Sequence, residues 1–188
     1  MNKTSAVAAV IEAFPEAPIV FTTGYTCRIA RHLRDSPNHF YMVGSMGLAP
    51  SIAIGIAMQT GEPAVVVDGD GSLMMNPVGL LVAGPIRDLP LLHVLLDDGV
   101  YDSTGGQPTP SAGVDFGAWA RGSGFGETLR ADDEDALRTA LARHTHVSTP
   151  TFLHCRVAAD AGAPPPRIDA DLADHADRLR RHVAGIAG

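Results

Sequence analysis

The sequence has little of what marks several common classes of protein. Its 188 residues hold only two cysteines, Cys27 and Cys155, far apart and without the Cys-x-x-Cys spacing of a zinc or redox centre. Cys155 lies in the apolar run TFLHCRV and reads as a packed core thiol. No Lys/Arg-rich run and no basic patch interleaved with aromatics occurs, and the formal charge is -7, so nucleic acid is not an expected partner. No basic-then-apolar leader and no apolar run of membrane-spanning length is present, so neither secretion nor membrane insertion is expected. The cytoplasm is then the expected compartment, and the sequon-like Asn2-Lys3-Thr4 has no secretory context.

The chain is 45% hydrophobic and 19% charged, with 20 glycines and 14 prolines, which fits one turn-rich globular domain. Short apolar runs alternate with longer amphipathic ones, the rhythm of a parallel sheet covered by helices on both faces. The runs predict about six strands, over 19–22, 40–44, 64–68, 91–97, 127–131 and 151–157. Helices are predicted near 3–14, 26–35, 48–59, 77–87, 115–123, 132–144 and 169–184. Most of the strand runs lack polar alternation, as expected for strands buried on both faces. Ala161 to Pro166, AGAPPP, breaks the rhythm, so we divide the chain into a binding domain over 1–160 and a Pro-rich linker with a terminal helix over 161–188. That helix carries acids early and arginines late, which suits its dipole, and should pack on the body or on a partner.

In such sheets ligands bind beyond the carboxyl ends of the strands. Four polar or glycine-rich loops fall there: Thr22-Thr23-Gly24, Gly44-Ser45-Met46-Gly47, Gly69-Asp70-Gly71-Ser72 and Asp97-Asp98-Gly99. Gly69 and Gly71 let backbone approach a bulky anion. A carboxylate beside a phosphate repels it unless a hard cation bridges the two, and Mg²⁺ commonly takes one or two carboxylates with phosphate oxygens, a carbonyl and water. Asp70 and Asp98 are thus candidate ligands of a metal that holds a diphosphate. The plainer alternative is an ordinary turn at Asp97-Asp98-Gly99 and a helix cap at Asp70. His93, in mid-strand, reads as a satisfied core histidine, and Trp119 and Phe125 as core. His144-x-His146 lacks a third metal ligand and reads as a solvated pair.

The stretches GDGS, GSMGLAPSIAIGIA and DDGVYDSTGGQPT together resemble the pyrophosphate-binding half of thiamine-diphosphate-dependent phosphonopyruvate and sulfopyruvate decarboxylases. The resemblance runs from roughly the first helix to Val157, with four separated motifs in the family's order. It implies a thiamine-diphosphate-binding fold of the pyrophosphate type and two cofactors, thiamine diphosphate and Mg²⁺. Asp70 then corresponds to the side-chain metal ligand, Asp98 stands where the family has Asn, and Val100 would supply the metal-binding carbonyl. Thr23, Gly24, Tyr25 and Thr26 match the early diphosphate loop, Gly69, Gly71 and Ser72 the later one. Gly44, Ser45 and Met46 match the loop under the aminopyrimidine, with Met46 as the apolar prop that bends the cofactor.

Tyr101 and Asp102 either face the substrate or cap their loop. Arg28 and the polar run containing Ser103, Thr104, Gly105 and Gln107 are candidates for holding an anionic substituent, although Arg28 could equally be solvated on a helix. The resemblance implies decarboxylation of a small 2-oxo acid, a 3-substituted pyruvate carrying a sulfonate or phosphonate, to an aldehyde and carbon dioxide. It also implies a separate pyrimidine-binding α subunit, which supplies an activating glutamate, in a hetero-oligomer of α₂β₂ or larger. Two other readings stay open. Gly69-x-Gly71 after a strand suggests a dinucleotide-binding Rossmann oxidoreductase, against which Met74 occupies the place of the third glycine. A diverged subunit that serves only assembly is the other.

Overall fold

The computed structural model describes residues 1–158, 160 and 162–186. Ala161, where the linker was expected to begin, lies outside the described residues, as do 187 and 188. A helix α1 (Lys3–Ala13) precedes β1 (Ile19–Phe21), α2 (Tyr25–Leu33), β2 (His39–Tyr41), α3 (Ala49–Thr60) and β3 (Ala64–Gly69). Two short helices, α4 (Asp70–Met75) and α5 (Val78–Ala83), lead to β4 (Leu91–Asp97). A small hairpin of β5 (Val100–Tyr101) and β6 (Gln107–Pro108) follows. Then come α6 (Phe116–Ser123), β7 (Glu127–Ala131), α7 (Glu134–Arg143), β8 (Thr151–Arg156) and α8 (Leu172–Ile186).

Six strands form one parallel sheet in the order β2-β1-β3-β4-β8-β7. Successive side chains of a strand point to opposite faces. Val65 and Val67 therefore pack with α1, α2 and α7, whereas Ala64 and Val66 pack with α3, α5 and α6. Every residue of β4 is buried, which is why its sequence shows no polar alternation. The chain leaves β1 toward β2 and returns to the other side of β1 as β3, so the switch in direction falls between β1 and β3. This is where an open α/β sheet leaves a crevice at its carboxyl edge.

Several expectations shift in detail. The run predicted as a strand over 40–44 pairs only at His39–Tyr41, because Gly44 has φ 86° and Ser45 φ 52°, both incompatible with a strand. The helix predicted over 77–87 ends at Ala83, before Pro85, and α4 begins at Asp70 itself. His93 is buried but not satisfied: its Nε2 lies 3.5 Å from Asp68 Oδ2, and neither atom has a hydrogen-bond partner among the described residues. Phe125 is core, but Trp119 is 38% exposed, resting by its edge on Phe116. The terminal helix packs on the body. His175 of α8 stacks on Phe40 and Tyr41 and accepts a hydrogen bond from the Tyr41 backbone N–H, an otherwise unpaired donor of the edge strand.

Candidate functional site

The loops after β1, β3 and β4 meet over the crevice and line one cleft. Thr23, Gly24, Tyr25 and Thr26 form one wall, and Gly69, Asp70, Gly71 and Ser72 the floor. Asp98, Val100, Tyr101, Asp102 and Ser103 close the opposite wall, with Met46 and Lys3 at the margins. Most of the residues singled out from sequence are thus brought together. Gly44 and Ser45 lie in neighbouring hollows beside Met42 and Val43. Gly44 is tied to the cleft loop through its N–H, which donates to Thr23 Oγ1 at 3.0 Å.

Three of the loops are stitched by one hydroxyl. Ser72 Oγ lies 2.8 Å from Thr22 Oγ1 and accepts the Gly47 N–H at 3.0 Å, so it braces the loops after β1, β2 and β3. Gly71 is required by packing, since a Cβ there would stand 2.2 Å from the Tyr101 ring. Across the cleft, Gly24 has φ 104° and a Cβ on it would meet Ser103 Oγ at 3.1 Å. Gly24 opens α2 without a side-chain cap, leaving the first N–H groups of a nine-residue helix without intrahelical acceptors, and Gly24, Tyr25 and Thr26 line the cleft. An uncapped helix start of this kind fits a phosphate group.

The acids fit a cation. Asp70 is buried, and its Oδ2 accepts a hydrogen bond from Thr109 Oγ1 at 2.5 Å. Burial pushes the Asp70 carboxyl above its ordinary range, against the Thr109 hydrogen bond and the Lys3 charge, while the Asp97 charge adds to the rise. Asp98 has a side chain only 2% exposed, and burial lifts its carboxyl to about 6 despite the Lys3 ammonium beside it, with Asp102 pushing the same way. Val100 and Pro108 form a non-hydrogen-bonded pair of the hairpin, the adjacent bond running from the Thr109 N–H to the Gly99 carbonyl, so the Val100 carbonyl points away from the ladder. Two buried carboxylates and a carbonyl without a ladder donor make an oxygen set suited to Mg²⁺.

Asp97, the neighbouring acid, is committed elsewhere. Its Oδ2 lies 2.9 Å from His154 Nε2 and 3.8 Å from Arg156 on β8. Burial alone would raise its pKa, but the hydrogen bonds from His154 and Ser111 and the charges of His154 and Arg156 hold it below the usual carboxylate range. Arg28 lies outside the cleft: its Nε donates to the Pro165 and Pro166 carbonyls at 2.6 and 3.2 Å, and its guanidinium sits over the Tyr25 ring. Of the polar run, Ser103 lines the cleft, whereas Thr104 and Gln107 bond to each other across the exposed Gly105 turn. His144 pairs with Glu127 at 2.9 Å, and among the described residues no group of three His, Cys, Asp or Glu side chains is placed to hold a metal.

Lys3 and Thr109 were missed from sequence. A lysine at the start of an amphipathic helix carries no signal in itself, and its role depends on where α1 is docked. Met1 O accepts the Ala158 N–H at 3.1 Å and Thr4 N donates to Asp160 at 3.3 Å, pinning the start of α1 beside the end of β8. Thr109 could have been suspected only as the closing residue of the DDGVYDSTGGQPT stretch.

Comparison with known proteins agrees with this geometry. Residues 22–155 match the family described as thiamine pyrophosphate enzyme, C-terminal TPP binding domain. The chain is 44% identical over 140 residues to a phosphonopyruvate decarboxylase of Streptomyces hygroscopicus, covering 74% of this chain but 35% of that protein. It is 36% identical over 185 residues to the sulfopyruvate decarboxylase subunit beta of Methanothermobacter thermautotrophicus, covering 98% of this chain and 97% of that subunit. It therefore spans about a third of the length of the former and nearly all of the latter. The benzoylformate decarboxylase from Polynucleobacter necessarius shares the fold, with a TM-score of 0.72 at 18% identity over 87% of this chain and 34% of that one. No helix among the described residues is long and apolar enough to cross a membrane. By sequence, sheet order and the cleft between its loops, the chain belongs to the thiamine pyrophosphate enzymes, as a C-terminal TPP-binding domain.

Proposed function

We propose that this chain is the cofactor-binding β subunit of a decarboxylase acting on a 3-anionic pyruvate, either sulfopyruvate or phosphonopyruvate, and that it holds thiamine diphosphate through Mg²⁺. The observation that carries the reading is the meeting of Asp70, Asp98 and the Val100 carbonyl in one cleft facing the uncapped start of α2. A dinucleotide fold would have no use for buried acids at that place. The end-to-end match to a β subunit supports a separate pyrimidine-binding α subunit and an assembly of α₂β₂ or larger. In this reading residues 1–160 are the binding domain and 161–188 the Pro-rich linker with its terminal helix. The buried free thiols of Cys27 and Cys155 favour the cytoplasm.

The cofactor, when bound, supplies a carbon nucleophile and an electron sink for the pair released as carbon dioxide leaves. The chain's own residues bind and orient. Asp70, Asp98 and Val100 hold the metal, and the N–H groups at Tyr25 and Thr26 with the Gly69–Ser72 backbone receive the diphosphate. Met46, half-buried at the cleft margin, props the cofactor from its apolar side. Tyr101, Asp102 and Ser103 stand nearest to where a substrate would enter, and the Ser103 hydroxyl is the polar-run group placed to receive a sulfonate or phosphonate oxygen. Arg28 lines a hollow with Ser103, Thr23 and Gly24 beside the cleft while its Nε is held by the proline carbonyls, and it remains a candidate for the anionic substituent.

Calorimetry separates this reading from the dinucleotide alternative. Thiamine diphosphate should bind only with Mg²⁺, and NAD should not bind. Metal-independent NAD binding without thiamine diphosphate binding would overturn the proposal.

A further inference from the structure

The cleft proposed to receive a diphosphate is itself lined by three carboxylates. Asp70, Asp98 and Asp102 all line it, and Lys3 is the only cationic residue among its described lining residues. The Lys3 ammonium lies 2.5 Å from Asp98 Oδ2 and donates to Asp102 Oδ2 at 3.3 Å. Neither member of the close pair is solvated, the side chains being 9% and 2% exposed. Burying an ammonium or a carboxylate alone costs several kcal/mol, roughly, so each of these charges requires the other.

The placement is built rather than incidental. Lys3 is the first residue of α1, whose start is fixed from two sides. Asn2 caps the helix by accepting the Ser5 N–H and pairs as a bridge with Ala158. The side chain then runs inward to the cleft wall made by the loop after β4. The Lys3 ammonium approaches Asp98 at Oδ2 as an ion pair, and among the described residues that buried oxygen accepts no hydrogen bond of ordinary geometry. A carboxylate paired by charge but not saturated by hydrogen bonds keeps lone pairs for a metal while its charge is offset.

We propose that Lys3 is the charge-compensating residue of the metal and diphosphate site. Acting through Asp98, it makes the cleft neutral enough at that wall to accept an anionic cofactor with its cation. Lys3 is thus a positioning residue for Asp98. This inference rests on the cofactor reading above and adds to it a residue outside the loops that carry the family's motifs.

The test is a cycle of four full-length chains, wild type, Lys3→Met, Asp98→Asn and the double variant, titrated with thiamine diphosphate and MgCl₂ by calorimetry, with thermal unfolding measured on the same samples. Lys3→Met should weaken cofactor binding at least tenfold, since Asp98 is left as an uncompensated buried charge. Adding Asp98→Asn, which removes the charge but keeps an amide oxygen for the metal, should recover a large part of the affinity lost in Lys3→Met, which a purely structural role for Lys3 would not do. If Lys3→Met does not fold, Lys3→Gln keeps a polar donor on a slightly shorter side chain while removing the charge and carries the same comparison. An unchanged affinity in the Lys3 variant, or a double variant as weak as the single one, overturns the inference. Absence of binding by the wild-type chain, alone and with its pyrimidine-binding partner, overturns the cofactor reading itself, and the inference with it.

Discussion

Thr109 Oγ1 stands 2.5 Å from Asp70 Oδ2, so the residue that ends the hairpin loop after β4 holds the carboxylate that opens the helix after β3. This single hydrogen bond fixes the relative position of the two loops that would share a metal. Thr109→Val removes the donor and leaves a buried carboxylate oxygen unsatisfied, a loss of about 1–3 kcal/mol. Thermal stability should fall, and Mg²⁺-dependent cofactor affinity should fall about tenfold. Thr109→Ser should restore both. Calorimetry beside a thermal melt reads the two effects on one sample.

Asp70 should trade stability for binding. Its folded pKa is raised by burial, so the ionised form is disfavoured in the fold and at neutral pH costs stability relative to the unfolded chain. Asp70→Asn removes that cost while keeping an acceptor for Thr109. The cofactor-free melting temperature should rise, by about 2–4 °C for each kcal/mol relieved, while Mg²⁺-dependent binding is lost. A variant that melts lower and still binds would remove Asp70 from the metal set.

Gly71 and Tyr101 should be coupled, because a methyl group at 71 would overlap the ring. Gly71→Ala alone should lower the melting temperature by several degrees, and in a Tyr101→Ala background it should cost much less. Equal costs in both backgrounds would show that the ring does not rest on this glycine.

Acid should loosen the sheet edge that α8 covers. His39 is buried, and burial with the nearby Arg34 and Arg178 charges lowers its pKa to about 4 from an ordinary 6.5, against the Arg34 carbonyl and Asp35, which favour the charged form. The unfolded chain therefore binds a proton that the folded chain resists. The stability contributed by neutral His39 is present above about pH 6.5 and is lost as the pH falls toward 4. His175 is lowered in the same direction by burial and Arg178. A urea series between these pH values should show a steeper loss in wild type than in His39→Asn, and parallel curves would refute the assignment.

How far the sequence could be read depends on the scale at which each feature is fixed. Unbroken apolar runs such as LLHVLLD specify strands by composition, and β4 ends at the predicted residue. The loop cluster followed because parallel strands share one carboxyl edge. What stayed hidden depends on contacts between distant segments. The β5–β6 hairpin is only two residues long on each side, too short for a periodic signal. Asp97 and Asp98 are neighbours in sequence, yet one turns to His154 and the other to Lys3, a divergence that no local pattern encodes. The tie of Arg28 to the Pro165 and Pro166 carbonyls was equally hidden, because those partners lie 137 and 138 residues away.

The central claim, that this chain is the cofactor-binding half of a decarboxylase, is tested most directly by carbon dioxide release. The chain would be co-purified with a pyrimidine-binding subunit, loaded with thiamine diphosphate and Mg²⁺, and given sulfopyruvate and phosphonopyruvate separately. The account predicts equimolar carbon dioxide and aldehyde from at least one of the two, abolished by Asp70→Ala in an intact assembly. A loaded, assembled complex that releases carbon dioxide from neither substrate would contradict it.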